Sequence, residues 1–383
     1  MAIGTRDLNN PELTLRQKIW HINWGLLLLI SLIACVGFAM LYSAADGNWE
    51  PWASRQATRF GIGVALMFII AIIDIRIWMR YAYGIYAVGL VLLVGVEVMG
   101  SVGMGAQRWI DLGFFQLQPS EIMKVAMVLA LAKYFHSFSY EEMGNPLVLV
   151  IPLVLVALPV FLILRQPDLG TSLMLVIGSG VMFFLAGVRL WKFALVFAAG
   201  LGAIPVAWNF LHGYQKQRIL TFMDPESDPL GAGYHIMQSK IAMGSGGIIG
   251  KGFIQGSQSR LNFLPEKQTD FIFTMMAEEF GLIGGITLMT LYLFLLVYGL
   301  AISLRCRSQF GRLMGMGMTT TFALYVFINI AMVMGVIPVV GVPLPLVSYG
   351  GTAMLTVLIS FGLLMNVYVH KDIKIPRRGY DGL

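Results

Sequence analysis

The sequence predicts an all-α integral membrane protein with ten transmembrane helices and a large external loop, about residues 211–270, between helices 7 and 8. Three observations predict it. Only 12% of the 383 residues are charged and 57% are hydrophobic, whereas a soluble domain carries about 25% charged residues. Mean hydropathy is +0.77. Apolar runs long enough to span a bilayer, ~20 residues each, recur at about 22–42, 57–74, 80–99, 118–136, 146–165, 169–188, 192–210, 271–304, 313–335 and 350–369. Together they make one polytopic domain, 1–383, and not a string of soluble ones.

An even number of spans places both termini on one side. Arg16, Lys18, Arg76, Arg80, Lys133, Arg189, Lys192, Arg305, Arg307 and Arg312 flank short connections on that side. Short loops rich in Lys and Arg stay cytoplasmic, so the termini are expected inside and the long loop outside. The net charge of +6 would suggest nucleic acid for a soluble protein. Here it is topogenic charge, and no nucleic-acid partner is expected. Cys35 falls in the first span and Cys306 in a connector, so no disulfide is expected, and no spacing fits zinc or haem. The first apolar run is too long for a signal-peptide core and reads as an uncleaved helix.

Taken in order, Met1–Lys18 is a polar interfacial segment. The loop Ala44–Gln56 carries Trp49, Trp52 and Arg55. The tryptophans anchor at the interface, and Arg55 either joins them or faces an anionic substrate. GAQRWIDLGFFQLQPSEIMK (Gly105–Lys124) enters the fourth span, with Pro119 suited to a first helical turn. Glu121 and Lys124 lie three apart on one helix face. They form either a structural clamp or the charged lining of a polar cavity. Arg108 and Trp109 just before them either anchor the chain or contact a phosphate or sugar. QPDLGT (Gln166–Thr171) is a short turn, with Asp168 placed to cap the next helix.

The external loop is basic through Lys216, Arg218, Lys240, Lys251, Arg260 and Lys267. Within it, Tyr234, Met237 and Ile241 have the spacing of a short amphipathic helix lying on the membrane. GSGGIIGKG (Gly244–Gly252) imitates a phosphate-binding loop but lacks the required Gly and Ser/Thr positions. Its glycines still let backbone N–H groups approach an anion or a partner chain. The loop suits a lipid phosphate or pyrophosphate, or else it is a solvated face near headgroups.

The loop ends in FLPEKQTDFIF (Phe263–Phe273). Asp270 stands where water gives way to lipid, and a carboxylate there is costly unless it is paired, hydrated or used. Asp270 is the leading catalytic candidate. Glu278 and Glu279 follow at about 80° and 180° from it around a regular helix and more than two turns along. They read as structural support or a cation site. VIPVVGVPLPLVSYGG (Val336–Gly351) is irregular, and irregular backbone at membrane depth must be buried in protein or line a cavity. Asn329, one helix earlier, is placed to bond its freed carbonyls.

These motifs, GAQRW, QPSE, QPDLGT, DPESDPLGAGY, QSKIA, GSGG, GKG, FLPEKQTDFIF, EEFG and GVPLPLVSYGG, resemble in order and spacing the SEDS family (shape, elongation, division, sporulation) of peptidoglycan polymerases. The resemblance covers nearly all of the chain from the first span onward and is nearer the RodA branch, of elongation and rod shape, than the FtsW branch, of division. It implies a peptidoglycan glycosyltransferase of the bacterial cytoplasmic membrane, acting on lipid II, the undecaprenyl-pyrophosphoryl disaccharide-peptide, at the outer face. It maps the essential aspartate onto Asp270 and an intramembrane charged pair onto Glu121 and Lys124. Arg55, Arg108 and Trp109 fall near the family's proposed cavity. Gln116 stands where related sequences carry Arg, so a charged phosphate contact is not expected there. Implied partners are a class B penicillin-binding protein, a single-span transpeptidase, and other elongation-complex membrane proteins.

The expected chemistry is inverting transfer. Asp270 acts as general base; Arg55, Arg108, Trp109, Lys216, Arg218, Lys251 and Lys267 are the candidates to contact pyrophosphate or sugar, the cations among them or a divalent ion such as Mg or Mn meeting the leaving group's charge. No organic cofactor is expected. A lipid II flippase is the rival reading, supported by the charged pair and the broken segment. A scaffold that only activates a partner is a third.

Overall fold

The structure, a computed structural model, describes residues 14–376 apart from 104–105, 112, 114–115, 167, 211–212, 225–231, 262 and 264–265. A short helix α1 (Leu15–Trp20) leads into α2 (Trp24–Ala44), α3 (Trp52–Ile72) and α4 (Ile75–Met99). A small antiparallel sheet follows, β1 (Ser101–Gly103), β2 (Ala106–Asp111) and β3 (Gln116–Leu117), with β2 in the middle. Then come α5 (Pro119–His136), α6 (Pro146–Arg165), α7 (Leu169–Leu185) and α8 (Leu190–Phe210). The long loop holds α9 (Gly213–Met223), α10 (Ala232–Ser245) and α11 (Ser257–Arg260). The chain ends with α12 (Ile272–Arg305), α13 (Gln309–Val333) and α14 (Gly351–Val369).

Each apolar run read as a span falls on a helix: α2 to α8 and α12 to α14. By length and composition, seven of them, α2, α3, α4, α6, α12, α13 and α14, can cross a membrane. α7 and the apolar part of α8, Leu190–Ala203, are shorter, and α5 carries Glu121, Lys124 and Lys133. Two differences from the sequence reading have local causes. The chain is mostly helical but not wholly so, because Ala106–Asp111 pairs with Ser101–Gly103 and with Gln116–Leu117 as a ribbon. α3 also starts earlier than expected, directly after Pro51, which puts Trp52, Arg55 and Gln56 in its first turns.

The interior is built from α5, α13 and α14, buried around most of their surface. α4, α6 and α8 instead present apolar side chains outward, among them Val91, Leu147 and Phe197. That inversion, apolar outside as well as in, is what a lipid solvent allows. This is a multi-pass membrane protein. α3 and α14 approach closely because Gly63 sits on Leu358 and Gly362 on Met67 and Ile70, the small-residue contact that helps helices associate in lipid. Asn366 of α14 locks the pair, donating to the carbonyls of Ile70 and Ala71 at 3.0 and 3.1 Å.

Candidate active site

Asp270 is half-buried, two residues before α12 begins. Three successive carbonyls here are held by three different donors. Gln268 O accepts from Tyr349 N at 2.8 Å, Thr269 O from Ser348 Oγ at 2.6 Å, and Asp270 O from Asn329 Nδ2 at 3.0 Å. The partners come from α13 and from the proline-rich segment 336–350, which is itself fixed. Asn329 Nδ2 also donates to Val342 O at 2.7 Å, Tyr292 OH to Pro345 O at 2.7 Å, and Gln56 Nε2 to Ser348 O at 2.8 Å. Irregular backbone inside the bundle is thus satisfied by buried side chains of α3, α12 and α13, as membrane depth requires. Gly341 (φ +72) keeps the carboxylate accessible from this side, since a Cβ there would lie 3.5 Å from Asp270 Oδ2.

α12 is broken at Gly281 (φ 64, ψ −159). In an unbroken helix, Leu282 N and Ile283 N would donate to the carbonyls of Glu278 and Glu279. Instead Lys251 N and Gly252 N reach those carbonyls at 3.1 and 2.9 Å. Leu282 N and Ile283 N turn to Gly247 O and Ile248 O at 3.0 and 3.2 Å. The glycine-rich loop is spliced into the break. Its glycines serve that contact: a Cβ on Gly246 would meet Ala277 O at 2.1 Å, and one on Gly250 would meet Glu279 O at 2.1 Å. The Lys251 and Gly252 N–H groups are therefore committed to α12. Lys251 Nζ pairs with the fully buried Glu278 at 2.7 Å, and Ser257 Oγ and Gln258 N donate to the same carboxylate oxygen. Glu279 accepts from Ser43 of α2 at 2.5 Å.

Glu121 and Lys124 bond at 2.6 Å, both buried. Tyr325 of α13 completes a triad, its hydroxyl donating to Glu121 and accepting from Lys124. Above it, Asp168 caps α7 through Thr171 N at 3.1 Å, and Arg108 Nε lies 3.9 Å from Asp168 Oδ2 and 3.4 Å from Gln166 O. Trp109 is half-buried on β2 beside Arg108.

The remaining sequence candidates are dispersed. Lys267 is buried three residues before Asp270 and is the candidate cation nearest to it in the chain. Arg55 is exposed near the start of α3. Lys216 is half-buried on α9; Arg218 is on the same helix, with its side chain outside the described residues, as is most of the DPESDPLGAGY motif. α10 forms over the expected Tyr234–Ile241 stretch. Ile236, Ser239 and Ala242 are its buried side, while Met237 and Ile241 face outward. Ser239 bonds Thr274 of α12 and Val333 O of α13, so α10 is docked on the bundle. Tyr325, Gln56 and Ser348 carry no sequence signal of their own, because the partners that matter lie far along the chain, 79 residues away for Ser348 and 201 or more for Tyr325 and Gln56.

The fold and site define a polytopic helical membrane protein in which the backbone at Asp270 is held by donors from α13 and the 336–350 segment. The chain belongs to the FtsW/RodA/SpoVE family, whose profile, described as "Cell cycle protein", matches residues 17–373. It is 44% identical over 354 residues to the peptidoglycan glycosyltransferase MrdB of Escherichia coli K12, covering 91% of this chain and 94% of that one. It is 37% identical over 353 residues to stage V sporulation protein E of Bacillus subtilis 168, covering 89% and 95%. A solved chain described under "Structural coordination of polymerization and crosslinking by a peptidoglycan synthase complex" matches with TM-score 0.77 and 33% identity over 91% of this chain and 98% of that one. The crystal structure of the rod shape determining protein RodA of Thermus thermophilus matches with TM-score 0.69 and 30% identity, over 91% and 97%.

Proposed function

We propose that this chain is a peptidoglycan glycosyltransferase that polymerises lipid II into glycan strands for cell-wall elongation, with Asp270 as general base. The observation that carries the assignment of the base is the clamp. A residue whose backbone is fixed from α13 and from the 336–350 segment presents its carboxylate from a defined position, as a general base requires. Asp270 takes the proton from the acceptor GlcNAc 4-hydroxyl as its oxygen attacks the donor MurNAc C1. The C1–oxygen bond to the diphosphate breaks, its electron pair leaves with undecaprenyl diphosphate, and the configuration at C1 inverts. Cations stabilise the leaving group; Arg55, Arg108, Lys216, Arg218 and Lys267 are the candidates the sequence supplies. Lys251 is held by Glu278 and is a weaker contributor.

Among the described residues no three His, Cys, Asp or Glu side chains come together to hold a metal. A divalent ion would rest on one or two carboxylates and the substrate's own phosphates, a common arrangement for Mg. The termini are cytoplasmic and the Asp270 end faces outward in this reading. A class B penicillin-binding protein would crosslink the emerging strand. The features that suggested a flippase have other employment: Glu121, Lys124 and Tyr325 satisfy one another, and the broken segment frames Asp270. The test is polymer formation from purified lipid II by wild type and Asp270→Asn, with and without the transpeptidase and a chelator. Loss of polymer with unchanged folding supports the reading, and full polymerisation by Asp270→Asn would sink it.

A further inference from the structure

We propose that Arg59 binds the diphosphate of the polyprenyl-linked substrate. The proposal rests on the glycosyltransferase reading and adds to it a place for the leaving group. Arg59 lies seven residues past Trp52, the first residue of α3, about 10 Å along the helix. A guanidinium at that depth in a span is expensive unless it is paired, hydrated or used. Among the described residues no carboxylate lies within ion-pair distance of it. Its guanidinium stacks 4.8 Å above the ring of Tyr349, and its Nη1 is sealed from solvent without a hydrogen-bond partner.

What Arg59 faces is also positive. A Cβ on Gly351 would stand 3.3 Å from the Arg59 Cζ, so the guanidinium is seated against the first residue of α14. The N-cap, Gly350, supplies no side-chain cap, and the first N–H groups of a helix carry partial positive charge. A cation and a helix N-terminus meeting in a partly buried place repel unless an anion lies between them. A planar guanidinium fork beside helix N–H groups suits phosphate oxygens.

The seat is firm and close to the proposed base. Gln56, fully buried one turn before Arg59, donates to Ser348 O at 2.8 Å and accepts from Gly350 N at 3.4 Å. Tyr349 N bonds Gln268 O, two residues from Asp270. One rigid segment thus carries the platform for Arg59 and part of the clamp on Asp270. As the C1–oxygen bond breaks, the electron pair passes to a diphosphate oxygen, and Arg59 meets the charge that develops there.

An ordinary phospholipid headgroup offers the same phosphate chemistry, and the test separates the two. Binding of undecaprenyl diphosphate to the purified full-length protein is measured for wild type, Arg59→Gln and Arg59→Met, with phosphatidylglycerol as competitor. Polymerisation of lipid II is followed in parallel. Arg59→Gln is expected to weaken undecaprenyl diphosphate binding and raise KM about tenfold, the size of one charge-assisted hydrogen bond, with little displacement by phosphatidylglycerol. Arg59→Met, which keeps a long apolar side chain and removes the charge, shows the same loss and decides the matter if the Gln variant fails to fold. Wild-type affinity in the folded variants overturns the proposal, as does displacement by equimolar phosphatidylglycerol. Failure of the wild type to polymerise would overturn the glycosyltransferase reading, while the binding measurement still judges Arg59.

Discussion

Asn329, fully buried in α13, donates from one nitrogen to the carbonyls of both Asp270 and Val342, at 3.0 and 2.7 Å. The helix and two otherwise separate pieces of chain meet at that amide. Asn329→Leu leaves two buried carbonyls without their donor, at about 1–3 kcal/mol for each that finds no other. Asn329→Asp keeps the shape but offers only acceptors when ionised. Both are expected to lower kcat more than they raise KM if Asp270 is the base, since Asn329 bonds its backbone directly. Wild-type kcat in Asn329→Asp would show that the clamp is dispensable. Thermal unfolding in detergent gives the stability change.

Gly341→Ala places a methyl group 3.5 Å from Asp270 Oδ2 and asks a non-glycine residue to hold φ +72. The backbone strain is about 1–2 kcal/mol. Polymerisation should fall further than that loss of stability explains, because the methyl group occupies space beside the carboxylate. Parallel Tm and rate measurements separate the two effects.

The splice into α12 makes the glycine positions unequal. Gly281→Ala combines φ +64 with contacts of 2.5 Å to Gly250 N and Ile248 O, and Gly250→Ala drives a methyl group onto Glu279 O. Each is expected to destabilise the protein by about 3 kcal/mol or more. Gly61, in α3 with open space around its Cβ position, is the control. Gly61→Ala should be neutral or slightly stabilising.

Lys251 and Glu278 form an unequal pair, with side chains 28% and 0% exposed. Lys251→Met strands a buried carboxylate, at or below the about 3–5 kcal/mol of a fully buried pair because the lysine is partly solvated. Adding Glu278→Gln should recover much of the loss. A double-mutant cycle read by denaturation checks this coupling, and simple additivity would show that the pair is uncoupled.

His370, just beyond the end of α14, is buried, and burial lowers its pKa from the usual 6.5. The unfolded chain therefore binds the proton more readily. Stability is full above pH 6.5 and is lost as pH falls from there through the folded pKa. His370→Gln should flatten the dependence of Tm on pH across that window.

The helices were legible because an apolar run of ~20 residues is seldom anything but a span, and the capping role of Asp168 was legible because its partner is three residues away. Asn329 could be suspected from the broken segment that follows it. Tyr325 could not: a tyrosine in an apolar helix gives no sign that it meets Glu121 and Lys124, which lie some 200 positions earlier. The ribbon of β1, β2 and β3 was missed because its strands are too short for a period to emerge. The glycine loop reads from sequence as open to an anion or a partner chain, since sequence does not reveal that the backbone of α12 already takes the Lys251 and Gly252 N–H groups. Arg59 escaped notice for the complementary reason, as an isolated cation inside an apolar run belongs to no motif.

The splice between Gly246–Gly252 and the broken helix also bears on how the protein can be engineered. Four hydrogen bonds fix the loop in register with α12, so one residue added or removed within that stretch would misalign them together. A glycine-rich loop outside the spans is the place where an epitope tag, fluorophore or fusion would ordinarily be inserted. In this protein such an insertion would uncouple the two halves of the helix that carries Asp270 at its head, and reporters belong elsewhere on the chain.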